Sequence, residues 1–298
     1  MAAEAGTIMI DVSRLAHITL ITPDVARQVE YYESIVGLAC IEQTPDRAVL
    51  ATRLGLESIV VERGATPALA RIALQIAPSS DLTAVGGELA ARGIAHEIRS
   101  GITPGIAKAI VFKDAFGTPL EIFAEYSFAK VERRHVGIMP VKLGHVARFV
   151  PSAREIADFY TGLLGFRVSD WRTTVSVFMR CGPDHHTINV FESKPHGLAH
   201  FAFEVKDFAE LQRTCEILVA NDLRLDWGPS RHVIGHNIAC YHRNWDGLRV
   251  EFYCEMDQMK DEALGYFEPR PWHEDMPQRP KVWPMDTSRN QWGLWGTG

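Results

Sequence analysis

The chain has 298 residues, of which 46% are hydrophobic and 23% are charged, a composition typical of globular proteins with a large core. Its formal net charge of −6 comes without a basic stripe for phosphate backbones, so a nucleic-acid partner is not expected. The sequence shows no apolar stretch long enough to cross a bilayer, and the opening MAAEAGTIMI lacks the basic and apolar regions of a signal peptide. The five cysteines are scattered without CxxC spacing, which predicts neither a disulfide framework nor a structural zinc site. These features predict a cytoplasmic protein without a membrane partner.

The first half of the chain predicts two successive modules that each start with a strand and a helix. DVSRLAHITLIT alternates as a strand, Pro23 and Asp24 open a helix through VARQVEYYESIV, and Gly37 ends it. Short strands in LACIEQT, RAVLATRL and SIVVER complete the first module. The second module has the strand ARIALQI, the helix SSDLTAVGGELAARG with Ser80 or Asp81 as its cap, and the strands AKAIVFKD and TPLEIFAE.

A charged linker, Glu132 to Pro140, separates this half from a second one with the same order. KLGHVARFV, the helix SAREIADFYTGLLG and the strands FRVSDWR, TVSVFMR and HTINVFES form its first module. LAHFAFEV, the helix DFAELQRTCEILVAND and the strands LRLDWG, HNIACYHR and LRVEFYCE form its second. The predicted fold class is therefore α+β, with two tandem domains, residues 1–136 and 137–298, each of two βαβββ modules that build a curved mixed sheet.

The tail after Asp257 contains four tryptophans among prolines: Trp272, Trp283, Trp292 and Trp295. Aromatic side chains of this kind ordinarily pack against their own protein, which favours a hydrophobic strap around the second domain. Alternatively, the tail closes over the mouth of a site or contacts a neighbouring subunit.

Three strands of the second half carry residue types that bind metals: His145 in LGHVARFV, His200 in LAHFAFEV and Glu251 in LRVEFYCE. Two imidazoles and one carboxylate with open positions form the facial triad that holds non-haem Fe(II) for oxygen chemistry. A single histidine on an apolar strand is more often a core residue, but a buried Glu251 would be costly without a cation. We therefore predict a metal site at these three residues.

The same three positions recur in the first half at offsets of 128, 129 and 130 residues, where they hold His17, Arg71 and Glu121. The two halves are thus copies of one unit in register. Because a guanidinium cannot donate a lone pair to a metal, only the second half is expected to bind one. The first domain is then a degenerate, non-metal domain in which Glu121 pairs with Arg71.

These residues resemble those of the two-domain type I extradiol ring-cleaving dioxygenases of the vicinal oxygen chelate superfamily, which include catechol 2,3-dioxygenases and dihydroxybiphenyl dioxygenases. The resemblance spans roughly residues 10–256 and is most specific in GPSRHVIGHNIACYHRNWDGLRVEFY. That segment is similar to the family signature of a histidine, a tyrosine, an Asp-Gly pair and a glutamate, here His232, Tyr241, Asp246, Gly247 and Glu251. The pair His185 and His186 before TINVFES is also similar to the family.

The resemblance implies a mononuclear Fe(II) centre, with Mn(II) as the alternative metal and no organic cofactor. It implies that a catechol-type diol is cleaved beside its hydroxyl groups with insertion of both atoms of O2, in aromatic hydrocarbon catabolism. It implies that His186 is the acid/base group and that His232 and Tyr241 hydrogen-bond the substrate oxygens. A homo-oligomer is the family expectation.

Other functions remain open at this point. Glyoxalase-like isomerases and thiol transferases of the same superfamily also use His/Glu metal sites, usually with four protein ligands, whereas a purely ligand-binding module would not need the triad. Ala147 stands where the branch acting on homoprotocatechuate has an asparagine, which disfavours that branch and leaves the substrate open. The resemblance gives no role to His236 or Asn237.

Overall fold

The structure, a computed structural model, describes residues 10–132, 136–268 and 280–293. Trp272, Trp295 and the centre of the charged linker lie outside the described residues. Each half contains two βαβββ modules, as the sequence predicts. The first consists of β1 (Val12–Thr22), α1 (Val25–Tyr31), β2 (Ala39–Gln43), β3 (Arg47–Ala51) and β4 (Glu57–Arg63). The second consists of β5 (Ala68–Ile76), α2 (Leu82–Ala91), β6 (His96–Thr103), β7 (Ile106–Lys113) and β8 (Pro119–Phe123).

The second half repeats this order and adds three short strands. Its modules are β9 (Lys142–Val150), α3 (Ala153–Leu163), β10 (Arg167–Arg172), β11 (Ser176–Arg180) and β12 (Ile188–Glu192), then β13 (Gly197–Glu204), α4 (Phe208–Ala220), β14 (Leu225–Arg231), β15 (Ile238–Arg243) and β16 (Arg249–Cys254). The tail adds β17 (Gln258–Asp261), β18 (Tyr266–Glu268) and β19 (Lys281–Trp283). The strand β6 was not identified in the sequence, because HEIRSGIT is mostly exposed and has few apolar residues to reveal it.

The two halves form two mixed sheets with the same topology. The strand orders are β2-β3-β4-β1-β5-β8-β7-β6 and β14-β15-β16-β13-β9-β12-β11-β10-β19. In each sheet the first strands of the two modules pair antiparallel, β1 with β5 and β9 with β13, and each pairs parallel with the last strand of its own module. The four helices pack apolar side chains against the sheets and enclose the main core.

Local sequence signals explain where the helices begin. The side chains of Asp24, Asp81, Ser152 and Asp207 each accept a hydrogen bond from a backbone N–H in the first helical turn. These caps satisfy amides that have no partner within the helix. Of the two candidate caps for α2, Asp81 is the one used. The first helix continues into a π-helical turn and ends at Gly37, whose φ of +81° suits a residue without a side chain.

A buried ion pair joins the two halves. The guanidinium of Arg148 on β9 donates to Asp114 Oδ2 at 2.6 Å and also to Thr118, and the side chains of Arg148 and Asp114 are at most 1% exposed. Asp114 Oδ1 accepts from the amides of Phe116 and Thr118, so the carboxylate is fully hydrogen-bonded. A second contact joins Tyr31 Oη and His242 Nε2 at 2.7 Å.

Asp114→Ala should lower the free energy of unfolding by about 3–5 kcal/mol, because it leaves the Arg148 charge buried without its partner. Chemical denaturation measures this value. The matched control is Asp46→Ala, which breaks the exposed ion pair between Arg63 and Asp46 and should cost less than about 1 kcal/mol. Equal losses for the two variants would show that the buried pair does not hold the halves together.

The described part of the tail spans the open edges of the second sheet. β19 pairs parallel with β10 at one edge, and the backbone of Gln291 donates to Arg231 of β14 at the other. Two of the tail tryptophans are described: Trp283 belongs to β19, whereas Trp292 is half exposed. The described part of the tail therefore packs against its own domain, as the first of the two alternatives predicts.

Among the described residues, no helix is both long and apolar enough to span a membrane.

Candidate metal centre

Most of the polar residues that the sequence analysis identifies as candidates lie on one face of the second sheet. Directly opposed residues on paired strands project to the same face, and residues two apart on one strand do so as well. The strand register therefore defines one row across the sheet. From β14 to β10 this row contains Trp227, Tyr241, Glu251, Ala202, His145, Ala147, Asn189, Phe178 and Asp170.

The three predicted metal ligands lie on the adjacent strands β9, β13 and β16 and converge. Glu251 Oε2 lies 3.0 Å from His145 Nε2 and 3.1 Å from His200 Nε2, and the two Nε2 atoms are 3.3 Å apart. All three residues are buried. Ala202 is opposed to both His145 and Glu251, so a methyl group occupies the position between them. This is the one cluster of histidine, cysteine and carboxylate side chains with metal-binding geometry among residues 10–132, 136–268 and 280–293.

The separations of these donor atoms fit a divalent metal on an octahedral face. Neighbouring ligands of an octahedron are separated by the bond length times the square root of two. The observed spacings thus correspond to bonds of about 2.1–2.3 Å, close to the 2.0–2.2 Å usual for nitrogen and oxygen ligands of first-row metals. A tetrahedral arrangement would require shorter bonds of about 1.8–2.0 Å, which reach only the lower limit of that range. The donor set of two nitrogens and one oxygen is that of a facial triad.

The charges of these residues also favour a cation. Burial lowers the pKa of His200 to about 4 even though Glu251 opposes the shift, so this imidazole is neutral at neutral pH. Burial alone would raise the pKa of Glu251, but the neighbouring His145 and His200 outweigh burial and hold the pKa well below its ordinary value. A buried carboxylate beside a neutral imidazole carries negative charge that a divalent cation would compensate.

Two neighbours fix the orientation of these ligands. Asn237 Nδ2 donates to Glu251 Oε1 at 2.8 Å, which leaves Oε2 directed at the histidines. Tyr253 packs its ring 5.2 Å from that of His145. A side chain at Gly144 would overlap the hydroxyl group of Tyr253, so the glycine before His145 allows this close approach.

His186 lies beside the candidate ligands and His185 lies behind it. The ring of His186 is 4.4 Å from that of His145, and its Nδ1 is 3.1 Å from His185 Nδ1. His185 Nε2 in turn lies 3.1 Å from Asp170 Oδ2. Gly235, which has a φ of +80°, lies in the loop between β14 and β15 and packs closely against both histidines. A Cβ added at this position would lie 3.1 Å from His185 Nδ1 and 3.4 Å from His186. Burial, followed by the neighbouring His145, lowers the pKa of His186 well below its ordinary value.

Tyr241 and His232 form the opposite side of the cluster. Tyr241 is opposed to Glu251 across β15 and β16, and its ring lies 5.3 Å from that of His200. Tyr241 Oη is 2.9 Å from His232 Nε2, and the His232 ring stacks on Trp227 at 4.6 Å. Burial, followed by the charge of Glu251, raises the pKa of Tyr241 well above its ordinary value, so its hydroxyl stays protonated.

The equivalent positions of the first half do not converge in the same way. His17 Nε2 is 4.0 Å from Glu121 Oε1, and Arg71 Nε is 3.6 Å from Glu121 Oε2. Arg71 also donates to Glu62 at 2.6 Å. Arg71 therefore contacts Glu121, as expected, but its shorter ion pair is with Glu62. Burial, followed by the charge of Arg71, lowers the pKa of His17 to about 3.

The structure thus brings His186, His232 and Tyr241 around the three candidate ligands. Asp246 and Gly247 lie in the turn between β15 and β16 instead. The sequence assigns no role to Asp170, Asn237 or His236, and in the structure His236 Nδ1 lies 2.6 Å from Asp257 Oδ2. Alternation along β10 could have placed Asp170 on an inward face, but its partners come from distant segments.

Comparison with known proteins finds one matching family model and several similar dioxygenases. Residues 142–252 match the family model "Glyoxalase/Bleomycin resistance protein/Dioxygenase superfamily". A manganese-dependent 2,3-dihydroxybiphenyl 1,2-dioxygenase of Geobacillus genomosp. 3 is 25% identical, over 92% of this chain and 94% of that protein. An iron-dependent extradiol dioxygenase of Rhodococcus jostii (strain RHA1) is 24% identical, over 84% of this chain and 91% of that protein.

Solved structures share the fold. A Mn(II)-bound glyoxalase from Novosphingobium aromaticivorans superimposes with a TM-score of 0.82 at 23% identity, covering 95% of this chain and 91% of that one. At this identity the likeness establishes the architecture of paired βαβββ modules. Residues 142–252 are thus similar to the glyoxalase, bleomycin resistance protein and dioxygenase superfamily, and the two sheets have the vicinal oxygen chelate fold.

Proposed function

We propose that this protein is an extradiol ring-cleaving dioxygenase that opens a catechol-type diol beside its hydroxyl groups and inserts both atoms of O2. The observation that carries the proposal is the convergence of His145, His200 and Glu251 at 3.0–3.3 Å. The full-length relatives described above are dioxygenases of dihydroxybiphenyl or extradiol type, which supports the same reaction.

His145, His200 and Glu251 would hold Fe(II) or Mn(II), and relatives named for each metal exist. Carboxylate and imidazole sites discriminate weakly between these two ions. When bound, the metal supplies Lewis acidity towards the diol and the redox chemistry that O2 requires. Because only three residues would hold the metal, the site would leave room beside it for the substrate and O2.

His186 would serve as the acid/base group. Its lowered pKa keeps the ring neutral at neutral pH, so one ring nitrogen can accept a proton from the diol. The ring lies 4.4 Å from that of His145, and this closeness to the candidate ligands supports the proposed role. A group of this kind contributes about 10²–10⁴-fold to the rate of a proton-transfer step.

Tyr241 and His232 would orient the substrate oxygens. The raised pKa of Tyr241 keeps its hydroxyl group available for hydrogen bonding, and His232 holds that hydroxyl at 2.9 Å. Neither residue is a ligand, so their loss is expected to be milder than that of His145, His200 or Glu251.

In this proposal only the second half of the chain binds the metal and carries the catalytic residues. Residues 1–136 form a non-metal domain in which Arg71 replaces the second imidazole, and residues 137–298 form the catalytic domain. The protein acts in the cytoplasm on a small molecule, without nucleic acid or membrane, and forms a homo-oligomer. Five free cysteines fit a reducing compartment, and sedimentation analysis tests the oligomer.

Protein loaded anaerobically with Fe(II) should consume one O2 per diol and give a coloured ring-opened product. The measurement is oxygen uptake across a panel of catechol, substituted catechols, bicyclic diols and hydroxylated heterocycles. Metal binding without oxygen uptake, together with isomerisation of a thiol adduct, would favour the glyoxalase-like alternative. Diol binding without metal would identify a ligand-binding module.

A further inference from the structure

The C-terminal strap, residues 281–291, contacts both edges of the catalytic sheet. At the β10 edge, β19 pairs with residues 170–172, and Arg172 donates to the carbonyl oxygens of Met285 and Thr287. At the β14 edge, Gln291 donates to Arg231 and Ser230 contacts Asn290. The strap therefore crosses from one edge of the sheet to the other, next to both groups of candidate catalytic residues.

At the β10 edge the strap holds a buried carboxylate. Asp170, 1% exposed, accepts three hydrogen bonds: from the Lys281 amide at 2.9 Å, from Trp283 Nε1–H at 3.0 Å, and from His185 Nε2 at 3.1 Å. Burial alone would raise the pKa of Asp170, but these hydrogen bonds outweigh burial and lower the pKa below its ordinary value. Two of the three donors belong to the strap.

An ionised Asp170 determines which nitrogens of the two histidines carry protons. A carboxylate only accepts, so His185 Nε2 must be the donor. With the one ring proton of His185 placed on Nε2, its Nδ1 is unprotonated and accepts from His186 Nδ1–H across 3.1 Å. His186 is left with its lone pair on Nε2, the nitrogen remote from this chain of hydrogen bonds.

At the β14 edge the strap contacts His232 and determines which of its ring nitrogens carries the proton. His232 Nδ1 lies 3.0 Å from the backbone carbonyl oxygen of Arg289. A carbonyl oxygen can only accept, so the proton of a neutral His232 is on Nδ1. Nε2 then accepts from Tyr241 Oη–H at 2.9 Å, which directs the hydroxyl proton towards His232.

We propose that the C-terminal strap fixes His186 and His232 in the tautomer protonated at Nδ1, and thereby keeps His186 Nε2 basic and Tyr241 in one hydrogen-bonding orientation. Asp170, Trp283 and the Arg289 carbonyl are positioning groups that act through the histidines. The consequence for catalysis rests on the proposed function, whereas the tautomers themselves do not.

The direct test is histidine ¹⁵N NMR on the metal-free wild-type protein, with long-range ¹H–¹⁵N correlations that distinguish protonated from unprotonated ring nitrogens. Signals of the two residues are assigned by their loss in His186→Ala and His232→Ala. Both residues should show a protonated Nδ1 and an unprotonated Nε2. A proton on Nε2 of either residue would overturn the proposal for that histidine.

Variants at the β10 edge test whether the strap sets the tautomer. Asp170→Leu removes the acceptor and should release the fixed tautomer of His186 while leaving that of His232 unchanged. In the metal-loaded enzyme it should lower kcat by about 10–100-fold, typical of lost outer-shell partners, with KM changing much less. An unchanged His186 tautomer in Asp170→Leu would overturn the proposal for the β10 edge.

Trp283→Phe keeps the aromatic ring and removes one donor to Asp170, so it provides a milder variant if Asp170→Leu does not fold. It should lower kcat by about 5-fold, the worth of one ordinary hydrogen bond. The matched control is Trp171→Phe on the neighbouring strand, where Trp171 packs against Arg154 and faces away from Asp170. Equal effects of the two Trp→Phe changes would show a purely structural role for Trp283.

The NMR result and the oxygen-uptake result separate the two hypotheses. If the tautomers are as stated but no diol is cleaved, the proposed reaction fails and the strap still fixes the histidines. If diols are cleaved with His186 protonated on Nε2, the reaction stands and the inference about the strap fails.

Discussion

Glu251→Gln should abolish stoichiometric metal binding while the domain stays folded. The carboxylate supplies the only negative charge among the three candidate ligands, and its Oε2 lies within 3.1 Å of both imidazoles. In the variant, the amide oxygen of the new glutamine side chain accepts the hydrogen bond from Asn237. Its NH2 group then faces His145 and His200 and donates to their lone pairs, which are no longer free for a metal. Loss of an outer-shell partner lowers metal affinity by about 10–100-fold. We expect a larger loss here, because Glu251 is itself a candidate ligand.

The measurement is metal content after loading and desalting, with anaerobic titration for the affinity. Wild-type protein should retain one equivalent per chain and Glu251→Gln close to none. The duplicated fold offers a matched control, Glu121→Gln, which makes the same change at the equivalent position of the first half and should retain one equivalent. Two equivalents in the wild type, or loss of metal in Glu121→Gln, would contradict the division of labour between the halves.

The register of the duplication explains why so much of this site could be predicted from the sequence. His145, His200 and Glu251 occupy strands that a βαβββ repeat places side by side, and two of them oppose the same alanine, Ala202. Given the repeat, period-two alternation along each strand places all three side chains on one face of the sheet.

The remaining parts of the site depend on contacts that no local pattern encodes. In FRVSDWR, Asp170 looks like an ordinary polar residue of a strand. Its partners Lys281 and Trp283 lie some 110 residues later in the chain and reach it only in the folded protein. Asn237 follows a positive-φ residue, His236, and reaches Glu251 through the packing of a turn. Side-chain pairing of this kind is a tertiary property, so a single sequence gives no signal for it.

In the proposed site, His186 lies beside the three candidate metal ligands without being one of them, which suits a group that transfers protons. His186 contacts His145 through its ring, yet its Nδ1 faces His185 and not the carboxylate of Glu251. Phe178 packs edge-on against the same ring at 5.2 Å and keeps it in an apolar setting. A neutral imidazole in such a setting can take a proton from a substrate hydroxyl and later return it, without itself binding the metal.

His186→Ala should therefore keep its metal and bind the diol but lower kcat by about 10²–10⁴-fold, the contribution of a positioned acid/base group. KM should change far less, since the metal ligands and Tyr241 remain in place. The checks are metal content, diol binding under anaerobic conditions and steady-state oxygen uptake. As a control, His196→Ala removes an exposed histidine from the loop before β13 and should turn over like the wild type. Near wild-type turnover of His186→Ala would assign the proton transfer to another group, and loss of its metal would instead make His186 part of the binding site.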